Sequence, residues 1–267
     1  MKFKILCSDL DGTLLTTKSD VSDVTVSAIN QIKKNTRIIL VSARMPSGMT
    51  YLQERLDIVE EPIICYNGAL VLDGKKVISS VMISFKILQE LYALCEKFKT
   101  EIGLYVNHEW HVTQTSERVE KEIKYTHGNP TFMPASSTLA YLEKEQIGAH
   151  KLMLMGTKES SNQLIPVLNK KFKDHINIYR SNDTLIELAP KSVSKLSAIE
   201  LLLKDDETIK DVIAFGDNYN DIEMLKHVGC GVAVANAREE VKAISDYTTL
   251  SNTENGVALF IQQHLVN

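Results

Sequence analysis

Two pairs of aspartates, each at the end of an apolar run, carry the chemistry of this sequence. Lys4-Ile5-Leu6-Cys7-Ser8-Asp9-Leu10-Asp11-Gly12-Thr13-Leu14 starts as a strand and ends in Asp9 and Asp11, ahead of a glycine turn. Asp211-Val212-Ile213-Ala214-Phe215-Gly216-Asp217-Asn218-Tyr219-Asn220-Asp221 repeats the plan, with Asn220 between Asp217 and Asp221. Taken alone, either cluster also reads as an ordinary turn, since Asp and Gly are common there. Taken together, four carboxylates at strand ends with no local Lys or Arg repel one another, and buried unpaired carboxylates are strongly disfavoured. Oxygen-only donors suit a hard cation, and Mg2+ takes one or two carboxylates, water and substrate phosphate. Ligands of open α/β sheets bind at the carboxyl ends of the strands, where both clusters fall.

The elements that position these residues alternate. Strand-like runs cover Phe3–Ser8, Ile38–Val41, Ile63–Tyr66, Val212–Phe215 and Gly231–Ala235. Helical patterns cover Val24–Lys34, Met49–Leu56, Ser194–Lys204 and Ile222–His227. The alternation predicts βαβ crossovers and a Rossmann-like, three-layer α/β domain with a parallel sheet. Between Met82 and Asp183 the rhythm changes. After a hairpin signal at Val71–Ser80 with Asp73-Gly74 at its turn come helical Lys86–Lys99, strands Gly103–Asn107 and Trp110–Gln114, and helical Glu117–Tyr125. Strand Lys151–Met155, helical Asn162–Phe172 and strand Ile176–Arg180 complete it. The prediction is a discontinuous core of 1–81 and 184–267 with an inserted α+β domain of 82–183.

Composition bounds the function. The 267 residues, 44% hydrophobic and 24% charged, suit one large or two medium globular domains. A formal charge of -4 gives no footprint for nucleic acid. No long apolar run or signal-type start points to a membrane or to export, so cytoplasm is the expected compartment. Cys7, Cys65, Cys95 and Cys230 form no Cys-x-x-Cys pair and read as buried thiols. His108-Glu109-Trp110-His111 lacks the spacing of a helical zinc motif and reads as part of a strand pair.

Asp9-Leu10-Asp11-Gly12-Thr13 resembles the first motif of the haloacid dehalogenase-like hydrolases, and Gly216-Asp217-Asn218-Tyr219-Asn220-Asp221 resembles their fourth in its phosphatase form. Arg37-Ile38-Ile39-Leu40-Val41-Ser42-Ala43-Arg44, a strand ending in a hydroxyl residue, matches the second, and Ser192-Val193-Ser194-Lys195 the third. All four stand in order, and the resemblance runs from Lys4 to about Leu265. The long insertion, with Asn67-Gly68-Ala69 ahead of it, is similar to the Cof-type subfamily. Ser192 and Leu196 replace glycines usual around the third motif, and Val234-Ala235 stands where Met-Gly is commoner.

The resemblance implies a Mg2+-dependent phosphatase of small phosphorylated metabolites, sugar phosphates first. A phosphomutase and a non-catalytic metabolite-binding regulator are the alternatives. It makes Asp9 the nucleophile of an aspartyl-phosphate and Asp11 the general acid and then base. Asp9, Asp11 (through its main-chain carbonyl), Asp217 and Asp221 would hold the metal. Leu10, Ser42, Lys195 and Asn220 would bind phosphate, while Arg44, Asn67 and Glu187 are candidates for substrate contact or support. The insertion becomes a cap domain that selects substrate. The expected partner is a small phosphorylated metabolite, with no nucleic acid or membrane, and the expected assembly a monomer or weak homodimer.

Overall fold

The computed structural model describes residues 2–17 and 19–266. Two compact units emerge, one from Met1–Ser79 with Ser194–Asn267 and one from Ser80–Val193. The first begins with β1 (Ile5–Ser8), α1 (Asp23–Ile32), β2 (Arg37–Val41), α2 (Ser47–Leu56), β3 (Ile63–Cys65), β4 (Leu70–Asp73) and β5 (Lys76–Ser80). The insertion holds α3 (Phe85–Lys97), β6 (Glu101–Val106), β7 (Glu109–Val112), α4 (Glu117–Thr126), β8 (Thr131–Phe132) and α5 (Ala135–Glu145). It closes with β9 (Lys151–Met155), α6 (Lys158–Phe172), β10 (Ile176–Asn182) and β11 (Leu185–Pro190). The chain returns to the first unit as α7 (Lys195–Glu200), β12 (Val212–Gly216), α8 (Ile222–His227), β13 (Cys230–Ala233), α9 (Glu239–Ile244), β14 (Tyr247–Thr248) and α10 (Gly256–His264).

The core sheet runs β14-β13-β12-β1-β2-β3-β4-β5. It is parallel from β14 to β3 and turns antiparallel at β4. Helices cover both faces, so the central strands are buried on both sides and read as unbroken apolar runs rather than alternating ones. Ile5, Leu6 and Cys7 of β1 and Val212 to Phe215 of β12 are fully buried. From β1 the chain steps outward through β2 and β3, while its second half steps the other way from β12 through β13 and β14. The order therefore reverses between β1 and β12, the switch point at which such sheets bind ligands. Ile5 pairs with Val212 and Ser8 with Phe215, so both strands deliver their aspartates to the same end.

The insertion is a six-stranded sheet, β10-β11-β9-β6-β7-β8, antiparallel except where β8 joins β7. Leu88, Leu91 and Cys95 of α3, Leu139 and Leu142 of α5, and Leu164 and Leu168 of α6 pack in one cluster with Ile102, Leu104, Leu152, Leu154, Ile186 and Leu188 of the sheet. The sequence reading ended the insertion at Asp183, but β11 continues beyond it. Its residues pair with both β9 and β10, so the second unit extends to Val193. Helix α5 was also not expected. No helix among the described residues is long and apolar enough to cross a membrane.

Candidate active site

Past Ser8 the chain makes a wide turn in which the N–H groups of Leu14 and Leu15 donate to the carbonyls of Asp9 and Leu10, five residues back. Asp9 is held to β12 by its own N–H, which donates to Phe215 O at 3.0 Å. Gly12 takes φ +86°, a conformation that only glycine adopts without strain, and a Cβ there would lie 2.6 Å from Asp217 Oδ2. This glycine brings the first aspartate loop against the second. Thr13 Oγ1 adds a 3.3 Å hydrogen bond to Asp217 Oδ1.

Lys195 reaches the same place from the start of α7. Ser194 caps that helix, its Oγ accepting from Ser197 N–H at 3.2 Å while Ser197 Oγ accepts from Ser194 N–H at 2.9 Å. The lysine, 1% exposed, donates to Asp9 Oδ1 at 2.5 Å and to Asp221 Oδ1 at 2.6 Å. The other oxygen of Asp221 accepts the N–H groups of Asp217 and Asn218, both at 3.0 Å. Asp221 thus anchors both the lysine and the β12 turn.

Asp9, Asp217 and Asp221 each offer a carboxylate oxygen within 4.8 Å of the others. With all three ionised, the Lys195 ammonium, the one cation paired with Asp9 and Asp221 among the described residues, balances one charge and leaves two. Burial, together with the Asp221 and Asp217 charges, holds the Asp9 carboxyl well above its ordinary range despite Lys195. Burial alone would lower the Lys195 ammonium, but Asp221 and Asp9 outweigh it and hold it above its ordinary value. The all-oxygen donor set and the surplus charge fit a divalent cation.

Burial, with Asp221 adding and Lys195 opposing, pushes the Asp217 carboxyl up to about 7 from an ordinary 3.8. Between those values the folded chain keeps a proton that the unfolded chain has released, so this group's contribution to stability falls as pH rises through the interval. Metal-free protein should lose stability between about pH 4 and pH 7 relative to Asp217→Asn, as followed by thermal melts across that range. A constant gap between the two proteins would contradict the shift.

Asp11 does not join the cluster with its side chain. Both its oxygens are held by Arg44, through Nε at 2.8 Å and Nη2 at 2.7 Å. Ser42, 1% exposed at the end of β2, accepts the Arg44 N–H on Oγ at 3.2 Å and the Asn67 N–H on its carbonyl at 2.9 Å. Asn67, at φ +57°, in turn accepts from Asn220 Nδ2 at 3.0 Å, and a Cβ on Gly68 would meet Ser194 O at 2.4 Å. Leu10 is fully buried in the first loop. Glu187 is on β11 of the second unit, where Lys151 Nζ meets it at 2.5 Å and Ser181 donates to it.

Sequence reasoning assigned no task to Thr13 or Asn236, although both lie in segments it singled out. Asn236 Nδ2 donates to Gly12 O at 2.8 Å and its Oδ1 accepts from Asn252 N–H at 2.9 Å, tying the first loop to the C-terminal segment. Tyr51, which holds Arg44, carried no signal in the sequence.

Known proteins resemble this chain in sequence and in fold. The haloacid dehalogenase-like hydrolase family matches residues 6–261. A Haemophilus influenzae protein provisionally named a phosphatase is 31% identical over 271 residues, covering 98% of each chain. The pyridoxal phosphate phosphatase of Escherichia coli is 27% identical over 285 residues and all of both chains. A solved haloacid dehalogenase-like hydrolase from Bacteroides thetaiotaomicron has a TM-score of 0.88 at 28% identity, over 98% of this chain and 99% of its own. The chain belongs to the haloacid dehalogenase-like hydrolases. Within them it is a Cof-type phosphatase, an enzyme of the phosphoric monoester hydrolase class.

Proposed function

We propose that this enzyme is a Mg2+-dependent phosphatase of small phosphorylated metabolites, sugar phosphates foremost, working through an aspartyl-phosphate on Asp9. The observation that carries this reading is the seat of Asp9: a 5% exposed carboxylate beside Lys195, inside a cluster whose charge fits a divalent cation. The E. coli relative, named for a small phosphorylated metabolite, supports the substrate class.

Phosphate monoesters are among the slowest to hydrolyse without a catalyst, and a carboxylate nucleophile divides the work into two displacements. Asp9 attacks phosphorus, the ester P–O bond breaks, and the leaving oxygen takes the proton of Asp11. Water then attacks phosphorus, Asp11 accepts its proton, and the bond to Asp9 breaks. Lys195 offsets charge on the phosphoryl group while the Leu10 loop, Ser42 and Asn220 supply hydrogen bonds to its oxygens. Asp9, Asp217 and the Asp11 carbonyl, with Asp221 behind them, would hold Mg2+, which supplies the charge that lets an anionic nucleophile approach an anionic phosphate. The choice among metabolites is assigned to the insertion as a cap domain.

Activity should vanish on chelation and return with Mg2+, measured as phosphate released from p-nitrophenyl phosphate and from a panel of sugar phosphates. Saturating Mg2+ at 100 times its Kd should also stabilise the fold by about 2.7 kcal/mol. Full turnover after exhaustive chelation would contradict the metal assignment. Return of the phosphoryl group to a second site on the sugar, without free phosphate, would point to a mutase instead.

A further inference from the structure

The carboxylate assigned to proton transfer is the exposed one among the four aspartates of the site. The Asp11 side chain is 54% exposed, on a turn whose next residue is Gly12 at φ +86°. A short exposed carboxylate samples several rotamers in water, whereas a proton donor must stand within about 2.6–3.2 Å of the oxygen it serves. Among the described residues, Arg44 alone hydrogen-bonds its oxygens, and Arg44 is itself rigidly held. Its side chain is 3% exposed, and Nη1 donates to Gly48 O at 3.2 Å and to Tyr51 OH at 3.0 Å. Tyr51 OH passes the restraint on, donating to Ser19 O at 2.7 Å. The main chain of Arg44 is fixed as well, with its N–H on Ser42 Oγ and its carbonyl accepting from Tyr66 N–H at 3.1 Å.

We propose that Arg44 is the positioning residue for Asp11, its guanidinium fork setting the direction of that carboxylate for proton transfer, with no direct part in phosphate binding. The inference rests on the phosphatase reading above and on Asp11 as its acid and base. The planar fork matters because it meets both oxygens at once, fixing rotation as well as distance. A lysine ammonium would neutralise Asp11 without orienting it. A misplacement of about 1 Å at a reacting group costs on the order of 100-fold in rate.

The test compares esters that differ in their need for a proton. p-Nitrophenolate leaves without one, whereas the alkoxide of a sugar phosphate does not. In Arg44→Lys and Arg44→Ala, the rate of the first displacement, followed by rapid quench, should fall about 100-fold for glucose 6-phosphate and at most a few-fold for p-nitrophenyl phosphate. Asp11→Asn should show the same split. Added guanidinium chloride at low millimolar concentration should restore part of the alkyl ester rate to Arg44→Ala and none to Asp11→Asn. Thermal melts of each variant keep the comparison to folded protein, and Arg44→Lys serves where Arg44→Ala fails to fold. Equal losses on both esters, with Asp11→Asn still discriminating, overturn the positioning role and leave the phosphatase standing. Absence of the split in Asp11→Asn overturns the proton-transfer role and this inference with it.

Discussion

Asp9→Asn should retain no more than about a thousandth of wild-type turnover while folding normally. The carboxamide oxygen is a poor nucleophile, and the substitution deletes the only group assigned to form a bond to phosphorus. Stability should hold or rise, because the lost carboxylate is buried and held above its ordinary pKa range by that burial and by Asp221 and Asp217. Lys195 keeps its 2.6 Å partner Asp221. The measurements are phosphate release and a thermal melt on the same preparation, with denaturation during turnover to trap phosphoprotein in the wild type. A variant that keeps a tenth of the activity, or still traps phosphate, would remove Asp9 from its assigned role.

Lys195→Met should do the greatest damage to the fold. The ammonium is buried between Asp9 at 2.5 Å and Asp221 at 2.6 Å, and its loss leaves three close carboxylates, with no other cation among the described residues paired to Asp9 or Asp221. Removing one partner of a buried ion pair costs about 3–5 kcal/mol, a large share of the 5–15 kcal/mol that holds a typical domain together. For a unit of this size that is roughly 6–20 °C in melting temperature. Part of the loss should be recovered by a divalent cation, which substitutes one positive centre for another. Turnover should fall at least about 1,000-fold, since the phosphoryl group loses its charge partner. A melting temperature within about 2 °C of wild type in chelator would show that the lysine does not carry the cluster.

How far residues alone disclose such a molecule depends on how few physical solutions each pattern allows. Four aspartates at two strand ends have few, which is why Asp9, Asp217 and Asp221 could be expected around a common charge before any coordinates. The central strands were legible for a related reason, since Ile5–Cys7 and Val212–Phe215 are apolar on both faces and fit only a covered sheet. The partner of Asp11 was not legible. Which cation a half-exposed carboxylate meets depends on the path of its loop, and here the backbone leaves the helical region at both Asp11 and Gly12. Asn67 with Asn220, 153 residues apart, is of the same kind. Helix α5 escaped because Ser136, Ser137 and Thr138 are indifferent helix formers, leaving Leu139 and Leu142 as a thin apolar stripe. Strand β11 escaped because Glu187 interrupts its apolar run, and the compensating Lys151 lies on another strand.

The pairing of β1 with β12 has a consequence for the life of the chain. Asp9 meets Lys195 across 186 residues, and Thr13 meets Asp217 across 204. Along the sequence, the whole insertion separates the two segments that build the core sheet. Closing a loop of that length has an entropic cost that a few side-chain contacts alone do not offset, so these contacts are expected to form together with the sheet. A polypeptide cut short by stalled synthesis or by proteolysis before β12 keeps Asp9 and Asp11 but has no Asp217 or Asp221 to set against them. Under the proposed assignment, hydrolytic power is withheld from every copy that ends before β12, and the topology itself delays activity until the second half of the core sheet is made.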